Sequence, residues 1–199
     1  MNSCTTCKEA IEHCMSTHTF AFAHLYGDEK IMDMHIHNCC EVYYSISGGK
    51  QFLIDHCLYD IRPGDLFLIN QFESHHLTQI DQQTHERIIL SIDPEYLSKL
   101  STGATDLGHC FSFRDTRMPH QIHLSPKEQN RFMYFIHELH DDGGMGEDLL
   151  DQAIFLELMV FLNRAFAARC TDAAAPAPAP SSNYHAQVDA ILSYINSHI

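Results

Sequence analysis

Between residues 20 and 92 the chain alternates short apolar stretches with clusters of turn-forming residues. The apolar or alternating runs, which we predict to be strands, cover residues 41–47, 51–58, 66–70, 75–80 and 86–92. Turns rich in Gly, Pro, Asp or Gln separate them at 47–50, 61–65 and 80–84. Strands at such regular spacing are typical of an antiparallel sandwich or barrel. We therefore predict a β-barrel over residues 20–92.

A helical period replaces the alternating pattern after this region. Asp93 and Pro94 are typical of the cap and the first position of a short helix, which we expect to end near Leu100. Ser125 and Glu128 form a capping box, followed by apolar residues on one face. This second helix is expected to end near the Gly-containing break at 141–144.

A long helix is predicted from Glu147 to about Arg169, with acidic residues in its first turn and a basic residue in its last. Its central part, residues 153–162, is apolar on almost every side. One buried face cannot cover such a helix. Either the barrel and the preceding helix enclose it, or a second subunit covers the remainder, and we expect a homodimer.

The two ends of the chain differ from this central part. Residues 171–183 repeat Ala-Pro, which favours an extended linker, and residues 184–199 carry an apolar stripe at helical spacing. Near the start, cysteines and a histidine fall along one helical stripe. They are either zinc ligands or the apolar side of a short arm helix. These residues are Cys4, Cys7, Cys14 and His18.

Charge and composition restrict the possible partners. The formal net charge of −14 argues against nucleic-acid binding by these residues, because phosphates would be repelled. The polar start does not resemble a secretory signal, and the longest apolar run, residues 158–162, is too short to cross a bilayer. We expect a soluble, cytoplasmic protein with no membrane partner, whose eight cysteines stay unpaired.

Four residues suggest a metal centre. On an extended strand, His35 and His37 point to one face, and Glu41 shares their parity. His75 from a neighbouring strand would complete a set of three imidazoles and one carboxylate. Such a set suits a divalent transition metal, Zn, Fe, Mn, Ni or Cu. Without a metal, the same side chains would line the barrel as hydrogen-bonding groups.

Two further residues have the parity of Glu41. The hydroxyl of Tyr43 could bond a ligand inside the barrel, although a packed aromatic side chain explains it equally well. Cys39 could act as a ligand or a sensor thiol, although buried cysteines are more often small apolar residues.

The spacing of these residues resembles a known superfamily. The run Gly27-x7-His35-x-His37-x3-Glu41-x6-Gly48 is similar to the first signature of the cupins. His75 occupies the place of the histidine in the second signature. The other three positions of that signature depart from the pattern: Asn70, Phe72 and Gln79 stand where cupins have proline, glycine and asparagine.

The wider arrangement resembles the N-terminal sensor domain of AraC-family transcription regulators. Its features are one barrel with the His-x-His-x3-Glu motif, the segment 61–69, and the helices after Asp93. The resemblance implies a mainly β fold with α: a single cupin jelly-roll barrel followed by two long helices, which form the subunit contact. In this family the barrel cavity binds a small molecule, so Tyr43, Cys39 and Gln79 are candidate effector contacts.

The resemblance also implies a domain organisation. Residues 1–19 would be an N-terminal arm, 20–92 the barrel, 93–170 the helical dimerisation segment, and 171–183 the linker. Residues 184–199 resemble the first helix of the family's DNA-binding domain, so DNA would be bound only through a C-terminal domain that follows residue 199.

The sequence therefore predicts a non-enzymatic regulator domain that senses a small-molecule effector, with or without a metal. The alternative is a stand-alone metal-dependent cupin enzyme, such as a dioxygenase or an isomerase, in which the metal polarises the substrate or activates oxygen.

Overall fold

A computed structural model of the chain describes residues 4–27, 34–49, 51–79, 85–112, 120–139 and 144–172. In chain order its elements are α1 (Cys7–Thr17), β1 (Phe20–Leu25), β2 (Cys40–Ser45), β3 (Gln51–Ile54), β4 (Cys57–Asp60), β5 (Asp65–Ile69), β6 (His75–Gln79), β7 (Arg87–Ile92), α2 (Pro94–Leu100), α3 (His109–Ser112), β8 (Gln121–His123), α4 (Pro126–Glu138) and α5 (Glu147–Asp172). The predicted linker and the predicted helix at 184–199 lie outside the described residues.

The strands form two antiparallel sheets. The larger sheet has the order β1-β7-β2-β5-β8, and the smaller has the order β4-β3-β6. In the larger sheet β2 lies between β7 and β5, so that Glu41 is opposite Ser91 on one side and Ile69 on the other. This arrangement confirms the predicted barrel, with helices appended to it.

Both faces of the larger sheet are buried, because its residues alternate between two apolar cores. One core includes Phe22, Val42 and Leu90 and contains the helices α4 and α5. The other lies between the two sheets and includes Ala23, Tyr43 and Ile89. The alternation follows from the two-residue period of a strand. It places the odd-numbered residues of β2 inside the barrel.

Three parts of the barrel differ from the prediction. The run 51–58 is not one strand: it turns at Asp55, which has a φ of 50°, and continues as β4 beyond the predicted end. The alternating pattern predicted neither β1 nor the three-residue β8 as a strand. β8 pairs with β5, so the segment assigned to helices also supplies a strand of the larger sheet.

The helix predictions agree with the structure more closely. α2 begins and ends at the predicted residues, with the Asp93 side chain accepting a hydrogen bond from the Glu95 amide. The capping box of Ser125 and Glu128 is present, but α4 ends at Glu138, before the predicted break. α5 begins at Glu147 as predicted. Within the described residues, no helix is long and apolar enough to cross a membrane.

α1 covers the part of the barrel that the smaller sheet leaves open. Its buried residues Cys7, Ala10 and Cys14 belong to the core between the sheets, and the helix packs against β1 and β7. The small side chains of Ala21 and Ala23 in β1 allow a helix to approach closely. The N-terminal segment is therefore an amphipathic helix that closes one side of the barrel.

Candidate metal centre

Backbone pairing brings the first and last of the predicted ligands together. The amide of His35 donates to the carbonyl of His75 at 3.2 Å, and the amide of His75 donates to the carbonyl of His35 at 3.1 Å. This antiparallel bridge is isolated, since residues 36–39 are not part of a regular strand. The predicted strand through His35 and His37 is therefore replaced by an extended segment that leads into β2.

The imidazoles of His35, His37 and His75 converge. One nitrogen of each ring lies within 4.8 Å of the others, and the ring centroids of His35 and His75 are 4.3 Å apart. His75 is fully buried and the side chain of His37 is only 6% exposed, whereas His35 is partly exposed. The three-histidine group is thus open towards solvent on one side.

Glu41 lies beside this group and is 1% exposed. Its Oε2 atom is 3.1 Å from Nε2 of His37 and 3.8 Å from Nε2 of His75. Burying a carboxylate without partners is costly, and the histidines supply the partners here. Burial raises the pKa of Glu41, but the hydrogen bond from His37 and the charges of the three histidines outweigh it and hold that pKa below its ordinary value.

The two histidines nearest Glu41 have different protonation tendencies. Burial lowers the pKa of His37, but its hydrogen bonds with Cys39 and Glu41 bring that pKa to about 10. Burial also lowers the pKa of His75, and the attraction of Glu41 only partly opposes this. The balance favours the neutral form of the His75 imidazole, which is the form that binds metal ions.

Backbone carbonyls orient two of the rings towards the centre. Nδ1 of His37 is 2.9 Å from the carbonyl of Cys39, and Nδ1 of His75 is 2.9 Å from the carbonyl of Glu73. A hydrogen bond at one ring nitrogen fixes the other as the ligand atom, as in many metal sites. Nε2 of His75 is buried and makes no hydrogen bond within the described residues.

These features fit a transition metal. Donor atoms that bind one ion at about 2.0–2.2 Å lie about 3.0–3.5 Å apart. The 3.1 Å between Glu41 and His37 falls in this range, whereas the 3.8 Å between Glu41 and His75 is slightly longer. Three imidazoles and one carboxylate suit Zn, Fe, Mn, Ni or Cu. The three histidines could therefore hold a divalent ion, with the Glu41 carboxylate beside His37 and His75.

The turn between β5 and β6 supports both sides of the centre. The amide of Phe72 donates to the carbonyl of His37 at 2.8 Å, and the Glu73 carboxylate accepts from the amide of Asn70 at 2.6 Å. Phe72 has a φ of 63° and is 64% exposed. It stands where the cupin signature has glycine, which explains the positive φ.

The candidate effector contacts lie at different places. Tyr43 is buried in the barrel, and its hydroxyl bonds Nε2 of His85, whose Nδ1 is 2.6 Å from the carbonyl of Gly48. Cys39 is buried beside His37, with Sγ 3.3 Å from Nδ1. The side chain of Gln79 lies outside the described part of the chain.

Cys39 also interacts with Cys14 of α1. The pKa of Cys39 is lowered to about 6. The hydrogen bond with Cys14 lowers it most, His37 lowers it further, and burial opposes both. The same bond and burial raise the pKa of Cys14. In the described residues the four-member set Cys4, Cys7, Cys14 and His18 does not gather as a metal group. These residues belong instead to the arm helix and its ends.

Several supporting residues were not found by sequence reasoning. Glu73 and His85 were missed because neither belongs to a spacing pattern. Phe72 carried a usable signal, since a residue in place of the signature glycine has to adopt the glycine conformation. His120 bonds Tyr59 at 2.9 Å and lies 3.3 Å from Glu73, and no motif linked these three residues.

The two-sheet antiparallel barrel, with His-x-His-x3-Glu leading into β2 and a third histidine on β6, agrees with the cupin-type fold expected from the sequence. The chain belongs to the family of AraC-like ligand binding domains, whose family model matches residues 19–159. Among curated proteins no match to the chain is found.

Solved structures with a similar barrel include proteins of several kinds. Oxalate decarboxylase of Bacillus subtilis, described with Mn(II) centres, is 22% identical over 38% of this chain and 21% of its own, with a TM-score of 0.34. The DMSP lyase DddQ of Ruegeria pomeroyi is 21% identical over 37% of this chain and 38% of its own, with a TM-score of 0.34. A cupin 2 conserved barrel domain protein of Rhodopseudomonas palustris is 16% identical over 41% of this chain and 65% of its own, also with a TM-score of 0.34. The chain thus matches less than two thirds of each of these proteins.

Proposed function

We propose that this chain is the effector-sensing and dimerisation part of an AraC-like transcription regulator. A small molecule would bind inside the barrel, at or beside the centre of His35, His37, Glu41 and His75. The observation that carries this proposal is the convergence of three imidazoles beside a buried carboxylate that contacts two of them, in a chain that belongs to a ligand-binding family.

The proposed metal ligands are Nε2 of His37 and of His75, whose Nδ1 atoms bond backbone carbonyls, one ring nitrogen of His35, and the Glu41 carboxylate. A divalent ion held there would offer open coordination positions to an oxygen or nitrogen atom of an effector. The protein itself orients His37 and His75 through backbone carbonyls and holds Glu41 ionised in a buried place. Tyr43, Cys39 and Gln79 remain proposed effector contacts.

Effector binding has to change a structural equilibrium in order to regulate. This requires different affinities for two conformations of the protein. α1 is suited to such a change, because it closes the barrel through one short buried stripe. DNA would be bound by a domain following the Ala-Pro segment, in a cytoplasmic protein.

A homodimer is part of the same proposal. α4 and α5 enclose a groove of about 600 Å³, with an apolar floor that includes Leu156, Val160 and Phe161. Near the start of α5, Leu149 and Leu150 are 66% and 67% exposed. A second subunit that packs against α4 and α5 would cover this apolar surface.

Metal binding is tested by equilibrium dialysis against Zn²⁺ or Mn²⁺, followed by elemental analysis. We expect one ion per chain, with an affinity at least about 100-fold lower in His75→Ala, which removes the fully buried ligand. His56→Ala is the matched control, because His56 is an exposed histidine in the β3–β4 turn. Equal binding by wild type and His75→Ala would contradict the proposed centre.

The regulator role is tested by a mobility-shift assay with the protein, including any residues that its gene encodes after position 199, and the DNA upstream of that gene. We expect binding that changes with Zn²⁺ or Mn²⁺, and that the corresponding His75→Ala protein no longer responds. Absence of DNA binding in every metal state would refute the regulator proposal.

The second candidate is a metal-dependent cupin enzyme. The full set of four ligand-type residues and the partial exposure of His35 favour it, since a substrate could reach the centre beside that ring. Turnover of small acids or sugars by metal-loaded protein, lost in His75→Ala, would support the enzyme. A metal-binding protein that turns over none of them and still alters DNA binding would support the sensor.

A further inference from the structure

Two thiols from distant parts of the chain meet on the inner side of the barrel. Cys14 lies on the buried stripe of α1, and Cys39 directly precedes β2. Both are 0% exposed and both belong to the core between the sheets. Since the residues are far apart in sequence, a bond between their sulfurs would link α1 to the segment that carries the metal centre.

The strand register explains why these residues meet. Cys40 pairs with Ile92, so Cys39 lies next to Asp93. The amide of Asp93 donates to the carbonyl of Thr19 at 2.9 Å. The Cys14 thiol donates to the same Thr19 carbonyl at 3.6 Å. The Cys14 thiol therefore lies over the strand ends beside Cys39, and both side chains belong to the core between the sheets.

We propose that Cys14 and Cys39 are a reversible oxidation site that forms a disulfide in response to hydroperoxides. One thiol sulfur attacks the peroxide, the O–O bond breaks, and a sulfenic acid and water or an alcohol are formed. The second thiol then attacks the sulfenic sulfur, forms the S–S bond and releases water. The hydroperoxide accepts the two electrons, and a dithiol reductant restores both thiols.

The oxidant reaches the pair through local opening of α1. An isolated helix of 11 residues is marginal in water, so α1 stays folded mainly through its contacts with the barrel. Such peripheral elements open at a lower free-energy cost than the whole domain. Once formed, the disulfide holds α1 closed against the barrel. This proposal is independent of metal occupancy and of the regulator role.

The test treats the metal-free protein with hydrogen peroxide, blocks the remaining thiols by alkylation and maps the tryptic peptides by mass spectrometry. We expect two of the eight thiols to be lost, and a cross-link between the peptides 9–30 and 31–50. Dithiothreitol should restore both thiols. Amide hydrogen exchange in α1 should slow at least about tenfold in the oxidised form, because opening is then restricted.

Variants make the assignment specific. Cys40→Ala removes the other cysteine of peptide 31–50 and should leave the cross-link intact, whereas Cys39→Ala should abolish it. Cys110→Ala is the control for a cysteine that is equally buried but lies in the helical core, and it should behave like wild type. In Cys14→Ala, the sulfenic acid at Cys39 should accumulate and react with dimedone.

The proposal is overturned if peroxide leaves all thiols intact, or if the cross-link survives Cys39→Ala. It is also overturned if the cross-link joins peptide 31–50 to peptide 1–8, which contains Cys4 and Cys7. If Cys14→Ala does not fold, as judged by circular dichroism, the Cys39→Ala and Cys40→Ala pair still decides the outcome.

Discussion

Glu41 is an ionised carboxylate in the interior of the barrel, and the neighbouring histidines explain how it can remain there. A buried charge is tolerated only when hydrogen bonds or opposite charges replace its water. His37 provides the closest contact, at 3.1 Å. The same arrangement that stabilises Glu41 without a metal presents it as a ligand when a metal is bound.

Phe72 has an unusual backbone conformation. Its φ of 63° costs a residue with a Cβ atom about 1–2 kcal/mol, while its exposed ring gains little from burial. Glycine adopts this conformation without that cost but loses more entropy on folding, about 0.5–1 kcal/mol. The backbone of Phe72 nevertheless holds the turn next to His37, because its amide donates to the His37 carbonyl.

We predict that Phe72→Gly is more stable than Phe72→Ala by about 1 kcal/mol, because only glycine relieves the positive φ. Urea denaturation of both variants measures the difference. The alanine variant is the matched control, since it removes the same ring. A result in which the alanine variant equals or exceeds the glycine variant would show that the backbone at this position is not strained.

At the scale of elements, one ion pair joins the end of α5 to the start of α4. The Arg169 guanidinium bonds both oxygens of the Glu128 carboxylate, at 2.9 and 2.8 Å, and the carbonyl of His123 at 3.0 Å. The bond with Arg169, together with those from Ser125, lowers the pKa of Glu128 to about 2 although burial opposes this. The pair therefore fixes α5 against both α4 and β8.

We predict that Arg169→Gln destabilises the protein by about 1 kcal/mol at pH 7, which is the upper range for a partly exposed pair. Because the pKa of Glu128 is lowered on folding, its contribution is present above the ordinary value of 4.5. It is lost as the pH falls towards 2.

The stability difference between wild type and Arg169→Gln should accordingly shrink from pH 6 to pH 3. Chemical denaturation across this range measures it. Glu128→Gln serves as the companion variant. In a protein that already carries Glu128→Gln, Arg169→Gln should lower the free energy of unfolding at pH 7 by less than it does in wild type. A difference that does not depend on pH would indicate that Arg169 acts through the His123 carbonyl alone.

At the scale of the whole molecule, the exposed apolar residues near the start of α5 bear on the oligomeric state. Leu149 and Leu150 are more exposed than Leu58 of β4, which is 45% exposed. An apolar patch of this kind on a chain with a net charge of −14 is expected to be covered by another protein surface.

We predict a dimer in analytical ultracentrifugation that dissociates to monomers in the double variant Leu149→Glu, Leu150→Glu. Added charges at a buried interface are unfavourable because they lose their water. Leu58→Glu is the control on the opposite part of the molecule, and it should remain dimeric. A monomeric wild type, or a dimer that survives the double substitution, would exclude this interface.

The sequence carried enough information for the barrel, for α2, α4 and α5, and for the proximity of His35, His37 and His75. Capping residues and side-chain periods are local signals, so helices such as α2 were predicted to the residue. β8 has only three residues, and its pairing with β5 depends on contacts distant in sequence. For the same reason, no pattern predicted that Cys14 of the arm lies beside Cys39, or that Glu73 orients His75.

The most direct test of the central claim is anomalous X-ray diffraction from crystals grown with Zn²⁺ or Mn²⁺. The account predicts a single strong anomalous peak inside the barrel, within about 2.0–2.2 Å of nitrogen atoms of His35, His37 and His75 and an oxygen of Glu41. Anomalous peaks confined to exposed histidines, with the barrel centre free of metal at saturating concentration, would contradict it.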